Sequence, residues 1–356
     1  MILEIMNESK MELLNSNFPP LNTGNRSFAD AFDELLFEAD TIRIATGYIT
    51  ADSVAELQRS VELNLKLKVD LIIGMHYFDL FTRKEYQASL NFGKFLSEKS
   101  MGGVFLSTAF KYHGKIYSFL KNKEPIGSIV GSNNLSSITE YSRVYETSLL
   151  FNDRSKGIEL NNFIDNLISV SKPIEALRIE VFNEYNKLLI EHENVETVDP
   201  IEVKKIPLTD IRFTIPLKVS ASHSKSNLNV FFGKGREDKR GLIKPRHWYE
   251  IELIVPSEIT SMNGYPNLES GNNIFDVITD DGWKFRCKVS GDYNKNLRSE
   301  GDLKILGKWL KGRLENAGAL DVGELVTEET LQKYGRSDFE LIKTEIKNLW
   351  YLNFGV

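Results

Sequence analysis

Two hydrophobic periodicities divide this chain and leave it few architectures. Over residues 1–195, short β-rich runs (41–45, 67–73, 104–107, 113–120, 128–131, 146–151) alternate with stretches of helical spacing (51–63, 85–99, 156–170, 173–191). Such alternation favours an α/β layered domain. Pro173 stands at the start of the last helical stretch, where proline is favoured. After Glu193 the pattern changes. Six of the ten prolines lie between Pro200 and Pro266, and all four tryptophans (Trp248, Trp283, Trp309, Trp350) follow Pro200. Short apolar-polar runs at 211–215, 229–232, 248–255, 273–277 and 283–289 are separated by turn residues, which predicts a mostly β barrel or sandwich over 196–356. Residues 301–317 and 328–334 read as helices, and 339–344 and 350–354 as closing strands. A chain of 356 residues is also long for a single core.

Composition narrows the class further. The apolar runs are too short to span a bilayer, and the acidic start does not resemble a signal peptide. A lone cysteine, Cys287, rules out an internal disulfide and fits a reducing cytoplasm. The net charge of −6 does not by itself indicate a nucleic-acid partner, but the charge is unevenly spread. Between Lys218 and Arg246 there are eight Lys and Arg against two acids, Glu237 and Asp238. One basic segment is enough to bind a polyanion.

The densest chemistry lies in residues 110–134, FKYHGKIYSFLKNKEPIGSIVGSNN. His113 and Lys115 are two apart, as are Ser132 and Asn134. In extended backbone each pair shares one face. KNKEP reads as a hairpin tip with Asn122 and Pro125 as turn residues. Folding there brings a nucleophile or base, a cation and two neutral hydrogen-bonding groups together, a set suited to phosphate. His223 and Lys225 form a second H-x-K without companions, in a polar segment read as solvent-exposed or facing a nucleic acid and not catalytic. His76 and His192 receive no role.

H-x-K followed by G-S-x-N, with Glu146 on the next strand, resembles the signature of the phospholipase D superfamily in its nuclease members. One position departs: the pattern's aspartate five residues after the lysine is Leu120 here. The resemblance implies that His113 attacks phosphorus, that Lys115 and Asn134 hold the non-bridging oxygens, that Ser132 adds a hydrogen bond, and that Glu146 orients an imidazole. No metal is needed in such a scheme. With a single motif in this chain, the resemblance implies a homodimer whose two copies of His113 meet at one shared site.

Two basic segments in the β-rich half, 220–250 and 280–298, resemble the DNA-gripping arms of B3-like domains. The candidate contacts are Lys225, Asn227, Asn229, Lys234, Arg236, Lys239 and Arg240 in the first, and Trp283, Lys284, Arg286, Lys288, Asn294, Lys295 and Arg298 in the second. With the 301–354 region, the domain order is similar to the nuclease and recognition subunit of the NgoFVII/NgoAVII restriction endonucleases. That resemblance implies an α/β phospholipase-D-like nuclease and dimerisation domain (1–195), then a B3-like pseudobarrel that binds double-stranded DNA (196–356). It also implies a separate helicase-like ATPase that consumes ATP and Mg2+, since no P-loop occurs in this chain, and a companion DNA methyltransferase. The competing readings are a phospholipid-processing phosphodiesterase, which usually carries two motifs in one chain, and a non-catalytic DNA-binding regulator.

Overall fold

The computed structural model describes residues 11–356 apart from 65, 140–143, 184–188, 190–191, 193, 238–240, 242 and 270. The chain forms two compact units, Met1–Tyr185 and Asn186–Val356, whereas composition places the change of character at 195/196.

The first unit is a mixed eight-stranded sheet. Its strands are β1 (Met11–Asn15), β2 (Thr41–Thr46), β3 (Lys68–Ile73), β4 (Gly102–Leu106), β5 (Ile116–Lys121), β6 (Glu124–Gly131), β7 (Thr147–Phe151) and β8 (Lys172–Pro173), in the order β1-β7-β6-β5-β2-β3-β4-β8. β2, β3 and β4 are mutually parallel and β5, β6 and β7 antiparallel. The helices are α1 (Phe28–Glu38), α2 (Ala51–Leu63), the single turn α3 (His76–Asp79), α4 (Arg83–Glu98) and α5 (Arg154–Ser169). Capping boxes set the starts of α2 (Thr50 with Ser53) and α4 (Thr82 with Glu85), each satisfying backbone donors that a helix leaves open. One sheet face buries Ala45, Ile72 and Ile116 against Ile164 and Leu167 of α5. On β5, Tyr117 and Phe119 instead pack against Phe28 and Phe32 of α1, with ring centroids 4.9 Å (Phe28–Tyr117) and 5.4 Å (Phe32–Phe119) apart. Central strands covered on both faces read as apolar runs, which is why 41–45 and 67–73 were legible.

Three expectations change here. The strand expected from residue 113 begins at Ile116, so His113 and Lys115 lie just ahead of it. The hairpin tip is two residues, not five. Asn122 and Lys123, with φ of 53° and 70°, turn between the paired Lys121 and Glu124, and Pro125 already lies in β6. Such φ values are those of the tight turns that match strand twist. The helix expected over 173–191 is absent from its described part. Lys172 and Pro173 pair with β4 instead, Ile174–Ala176 makes a 3-10 turn that buries Ile174, and 177–183 is irregular. Strand pairing and burial of one isoleucine override the helical spacing; the later part of that stretch lies largely outside the described residues.

The second unit is a curled eight-stranded half-barrel, a B3-like pseudobarrel. Its strands are β10 (Leu208–Pro216), β13 (Leu253–Ile254), β14 (Ile274–Thr279), β15 (Trp283–Ser290), β16 (Asn296–Ser299), β17 (Asp338–Thr344) and β18 (Leu349–Asn353), ordered β10-β17-β18-β14-β15-β16-β13; β9 (Glu196–Thr197) pairs with β15. A separate two-stranded arm joins β11 (Arg236–Glu237) to β12 (Ile243–Lys244). Short turns α6 (Pro200–Val203) and α7 (Ser257–Thr260) precede the two longer helices, α8 (Lys304–Asn316) and α9 (Glu328–Tyr334). Two expected strands differ. Residues 230–232 form a 3-10 turn, and of 248–255 only Leu253–Ile254 is strand. Their apolar side chains meet each other (Phe231 to Trp248, 5.4 Å between centroids) and do not alternate across a pleat.

Candidate active site and nucleic-acid interface

Sheet order decides which residues meet. Because β2 runs antiparallel to β5, and β5, β6 and β7 alternate in direction, one end of the sheet gathers the end of β2, the entry to β5, the exit of β6 and the entry to β7. Those positions carry Thr46 to Tyr48, His113 and Lys115, Ser132 to Asn134, and Glu146.

His113 is exposed and Lys115 is buried. The Lys115 ammonium lies 3.3 Å from Nδ1 and 3.2 Å from Nε2 of His113, and donates to the His113 carbonyl at 2.6 Å. An ammonium only donates, so this contact uses the lone pair of whichever ring nitrogen is unprotonated. Burial holds the Lys115 amine below the ordinary lysine range, and the Glu146 carboxylate partly offsets that. Asn134 is fixed through its oxygen, which accepts from the Tyr48 backbone N–H (3.1 Å) and from Thr46 Oγ1 (3.3 Å). The opposite arm of that planar amide, a pair of N–H donors, is left for a ligand. Ser132 is held by β7. Its Oγ donates to the Thr147 carbonyl (3.3 Å) and accepts from the Thr147 N–H (3.0 Å). The neighbouring Gly131 is there for space: a Cβ would fall 2.1 Å from Ser148 Oγ. Glu146 sits immediately before β7, and among the described residues no hydrogen bond joins it to His113. The arrangement brings an exposed imidazole, a partly desolvated cation and an oriented amide to one end of the sheet, a set of groups suited to binding and attacking a phosphodiester.

Leu120 does not disturb this arrangement. It lies at the far end of β5, paired with Thr41 and Pro125 and buried. At about 3.3 Å per residue it is roughly 16 Å along the strand from Lys115. The motif's aspartate position therefore lies at the opposite end of β5 from His113 and Lys115.

Sequence reasoning passed over Tyr48, Asp79 and His76. They lie just past β2 and in the single turn α3 after β3, whose proximity only the sheet order reveals. His76 is buried; its Nε2 accepts from the Ile49 N–H at 3.1 Å, and its ring stacks on Phe81. Burial pushes its pKa down to about 4, leaving it neutral. His223 is engaged by Ser222 and Ser220 at 2.9 and 3.1 Å, and His192 pairs with Asp302 at 3.3 Å.

The candidate DNA contacts separate into two groups. Two of the candidate contacts, Asn227 and Asn229, spend their side chains on backbone groups of the unit. Asn227 is buried and its Oδ1 accepts from the Ile254 N–H; Asn229 is buried and exchanges two hydrogen bonds with the Val326 backbone. Trp283 falls on the side of β15 that carries the buried Phe285, Cys287 and Val289. Asn294 uses its Oδ1 on the Leu268 N–H. Lys239 and Arg240 lie outside the described residues. Lys225 and Lys234 are exposed, and Arg236 is exposed on the β11–β12 arm, paired with the buried Glu250. Lys284, Arg286 and Lys288 alternate with buried residues and share the outer face of β15. Lys284 pairs with Glu196 at 3.0 Å and Arg286 with Glu300 at 3.6 Å. Lys288 stands directly opposite Arg298, and Lys295 lies 3.9 Å from Asp292.

Residues 26–182 match the family model described as the NgoFVII restriction endonuclease N-terminal PLD domain, and residues 204–345 match that of the NgoFVII C-terminal B3-like DNA-binding domain. No curated protein matches the chain. Among solved structures it is similar to NucT from Helicobacter pylori (17% identity, TM-score 0.33, covering 47% of this chain and 99% of that one). It is also similar to the phospholipase D family member Nuc from Salmonella typhimurium (14% identity, TM-score 0.34, 47% and 98%).

Proposed function

The chain belongs to the NgoFVII restriction endonuclease family, and from that premise we propose that it cleaves double-stranded DNA at a specific sequence through a phosphohistidine intermediate, at a site shared by two copies. The observation that carries this reading is the convergence of His113, Lys115 and Asn134 at one end of the sheet. In the first step an imidazole lone pair of His113 forms an N–P bond while one P–O ester bond breaks. The departing oxygen takes its proton from the partner subunit's His113, because a second general acid is needed opposite the nucleophile. In the second step water attacks phosphorus, its proton passes to the partner's His113, and the N–P bond breaks to release a phosphomonoester. Lys115 and the Asn134 amide hold the non-bridging oxygens throughout, and Glu146 orients an imidazole.

Rapid quenching of the reaction on end-labelled duplex tests the chemistry. The expected result is label covalently attached to the chain, stable in alkali and released in acid, as a phosphoramidate is. Cleavage by this chain alone is expected to survive EDTA. An acid-stable adduct, or none at any time during turnover, would overturn the phosphohistidine step. ATP and Mg2+ enter the proposal only through a separate helicase-like ATPase, and a companion DNA methyltransferase would protect the host sequence. No described helix is long and apolar enough to cross a membrane. A cytoplasmic location is part of this proposal because the substrate proposed is intracellular duplex DNA.

The B3-like unit supplies the grip on DNA. Like charges directly opposite each other on neighbouring strands, such as Lys288 and Arg298, destabilise a sheet unless an anion lies over them. Replacing both by alanine is expected to weaken binding to all duplexes alike and to reduce the slope of log K against log salt by about two. An unchanged slope in a salt titration would remove this strand face from the interface.

A further inference from the structure

His113 is an exposed imidazole, and an in-line nucleophile must hold one ring nitrogen on a narrow line toward phosphorus. Its ring meets the Lys115 ammonium and the ring of Tyr48, whose centroid lies 5.6 Å away at an interplanar angle of 79°. Tyr48 also reaches the other half of the site, since its backbone N–H donates to Asn134 Oδ1. The approach is close: a Cβ on the preceding Gly47 would stand 3.1 Å from His113 Cδ2.

Tyr48 is itself fixed from outside the site. Its hydroxyl donates to Asp79 Oδ2 at 2.6 Å, and the Lys111 ammonium donates to Asp79 Oδ1 at 2.9 Å, so both oxygens of one carboxylate are engaged. Its ring rests edge-on against His76 (5.5 Å, 82°), which lies flat on Phe81 (4.6 Å, 15°). Being buried and neutral, His76 supports the ring without placing a charge beneath the site. An exposed tyrosine hydroxyl would find water at no cost. A carboxylate held by a second charged group points instead to a selected orientation.

We infer that Tyr48 is a positioning residue for His113, and that Asp79 with Lys111 sets Tyr48 in turn. This rests on the nuclease reading above, in which His113 is the nucleophile. Tyr48→Phe keeps the ring and removes its anchor; Asp79→Ala removes the same anchor from the other side; Tyr48→Leu removes the ring. The experiment is single-turnover cleavage at saturating DNA, on a plasmid that the unaltered protein cuts, with DNA affinity and melting temperature measured alongside. Tyr48→Phe and Asp79→Ala are each expected to slow cleavage about tenfold, and the double variant no further, because both remove one interaction. Tyr48→Leu is expected to slow it about a hundredfold. DNA affinity is expected to stay unchanged, which separates orientation from grip.

A second readout needs no turnover. The His113 ring resonances, assigned by their loss in His113→Ala, are expected to shift or broaden in Tyr48→Phe and in Asp79→Ala. Unaltered rates and resonances in both variants would overturn the inference. So would rate effects that multiply in the double variant, or losses that follow melting temperature. If His113→Ala itself still cuts, the nuclease reading fails first, and the two failures are thereby distinguishable.

Discussion

Replacing His113 with alanine is expected to abolish cleavage, by about 10^4-fold or more, while leaving duplex affinity unchanged. The size follows from the role. Removing a group that forms the covalent bond deletes the reaction path, and neither Lys115 nor Asn134 can substitute as nucleophile. The unchanged affinity follows from position: His113 lies in the first unit, whereas the basic strand face with Lys284, Arg286 and Lys288 is on β15 of the second. The shared-site proposal adds a quantitative consequence. Mixing the unaltered chain with an excess of His113→Ala is expected to suppress cleavage below simple dilution, because a mixed dimer lacks either its nucleophile or its general acid. Activity that only dilutes, or a chain that sediments as a monomer while cutting, would remove the shared site. Unchanged cutting by the variant alone would remove the assignment of His113.

The motif was legible because its parts are local. His113, Lys115, Ser132 and Asn134 flank one β-hairpin, whose turn residues and alternation are written in consecutive sequence. Tyr48 and Asp79 were not legible. They reach the site only because β2 pairs with β5 and β3 with β2, and no local pattern announces those pairings. The asparagines of the basic segment were hard to read for another reason. Asn227 and Asn229 look like base readers by residue type, but each satisfies backbone groups that would otherwise be buried without partners. The supposed helix after Pro173 shows a third kind of failure, in which correct spacing is overridden because strand β4 offers its edge to Lys172 and Pro173. Leu120, which stands where the motif has an aspartate, lies at the opposite end of its strand from His113 and Lys115.

The largest stability effect is expected in the second unit, from Glu315→Ala. Glu315 is buried on α8, where its two oxygens accept from the Trp248 indole N–H (2.8 Å) and the Tyr249 hydroxyl (3.0 Å). One helical turn earlier, Lys311 is fully buried, with its ammonium 3.9 Å above the Trp248 ring. Removing the carboxylate strands two donors and takes the countercharge from a buried amine, a change that costs about 3–5 kcal/mol. For a unit of this size that lowers the melting temperature by roughly 10 °C. Tryptophan fluorescence reports it selectively, since all four tryptophans lie in this unit. Burial also lowers the Lys311 pKa from 10.5 to about 7, opposed by Glu315. The folded state therefore binds fewer protons than the unfolded state between those two values, and the contribution of Lys311 to stability rises as pH rises from about 7 toward 10.5. Lys311→Met keeps the aliphatic volume and removes the titration, so its melting temperature is expected to depend less on pH across that window. Equal pH dependence in the two proteins would mean that Lys311 is not the titrating group, and a Glu315→Ala variant that melts with the unaltered chain would mean that Trp248 and Tyr249 find other partners.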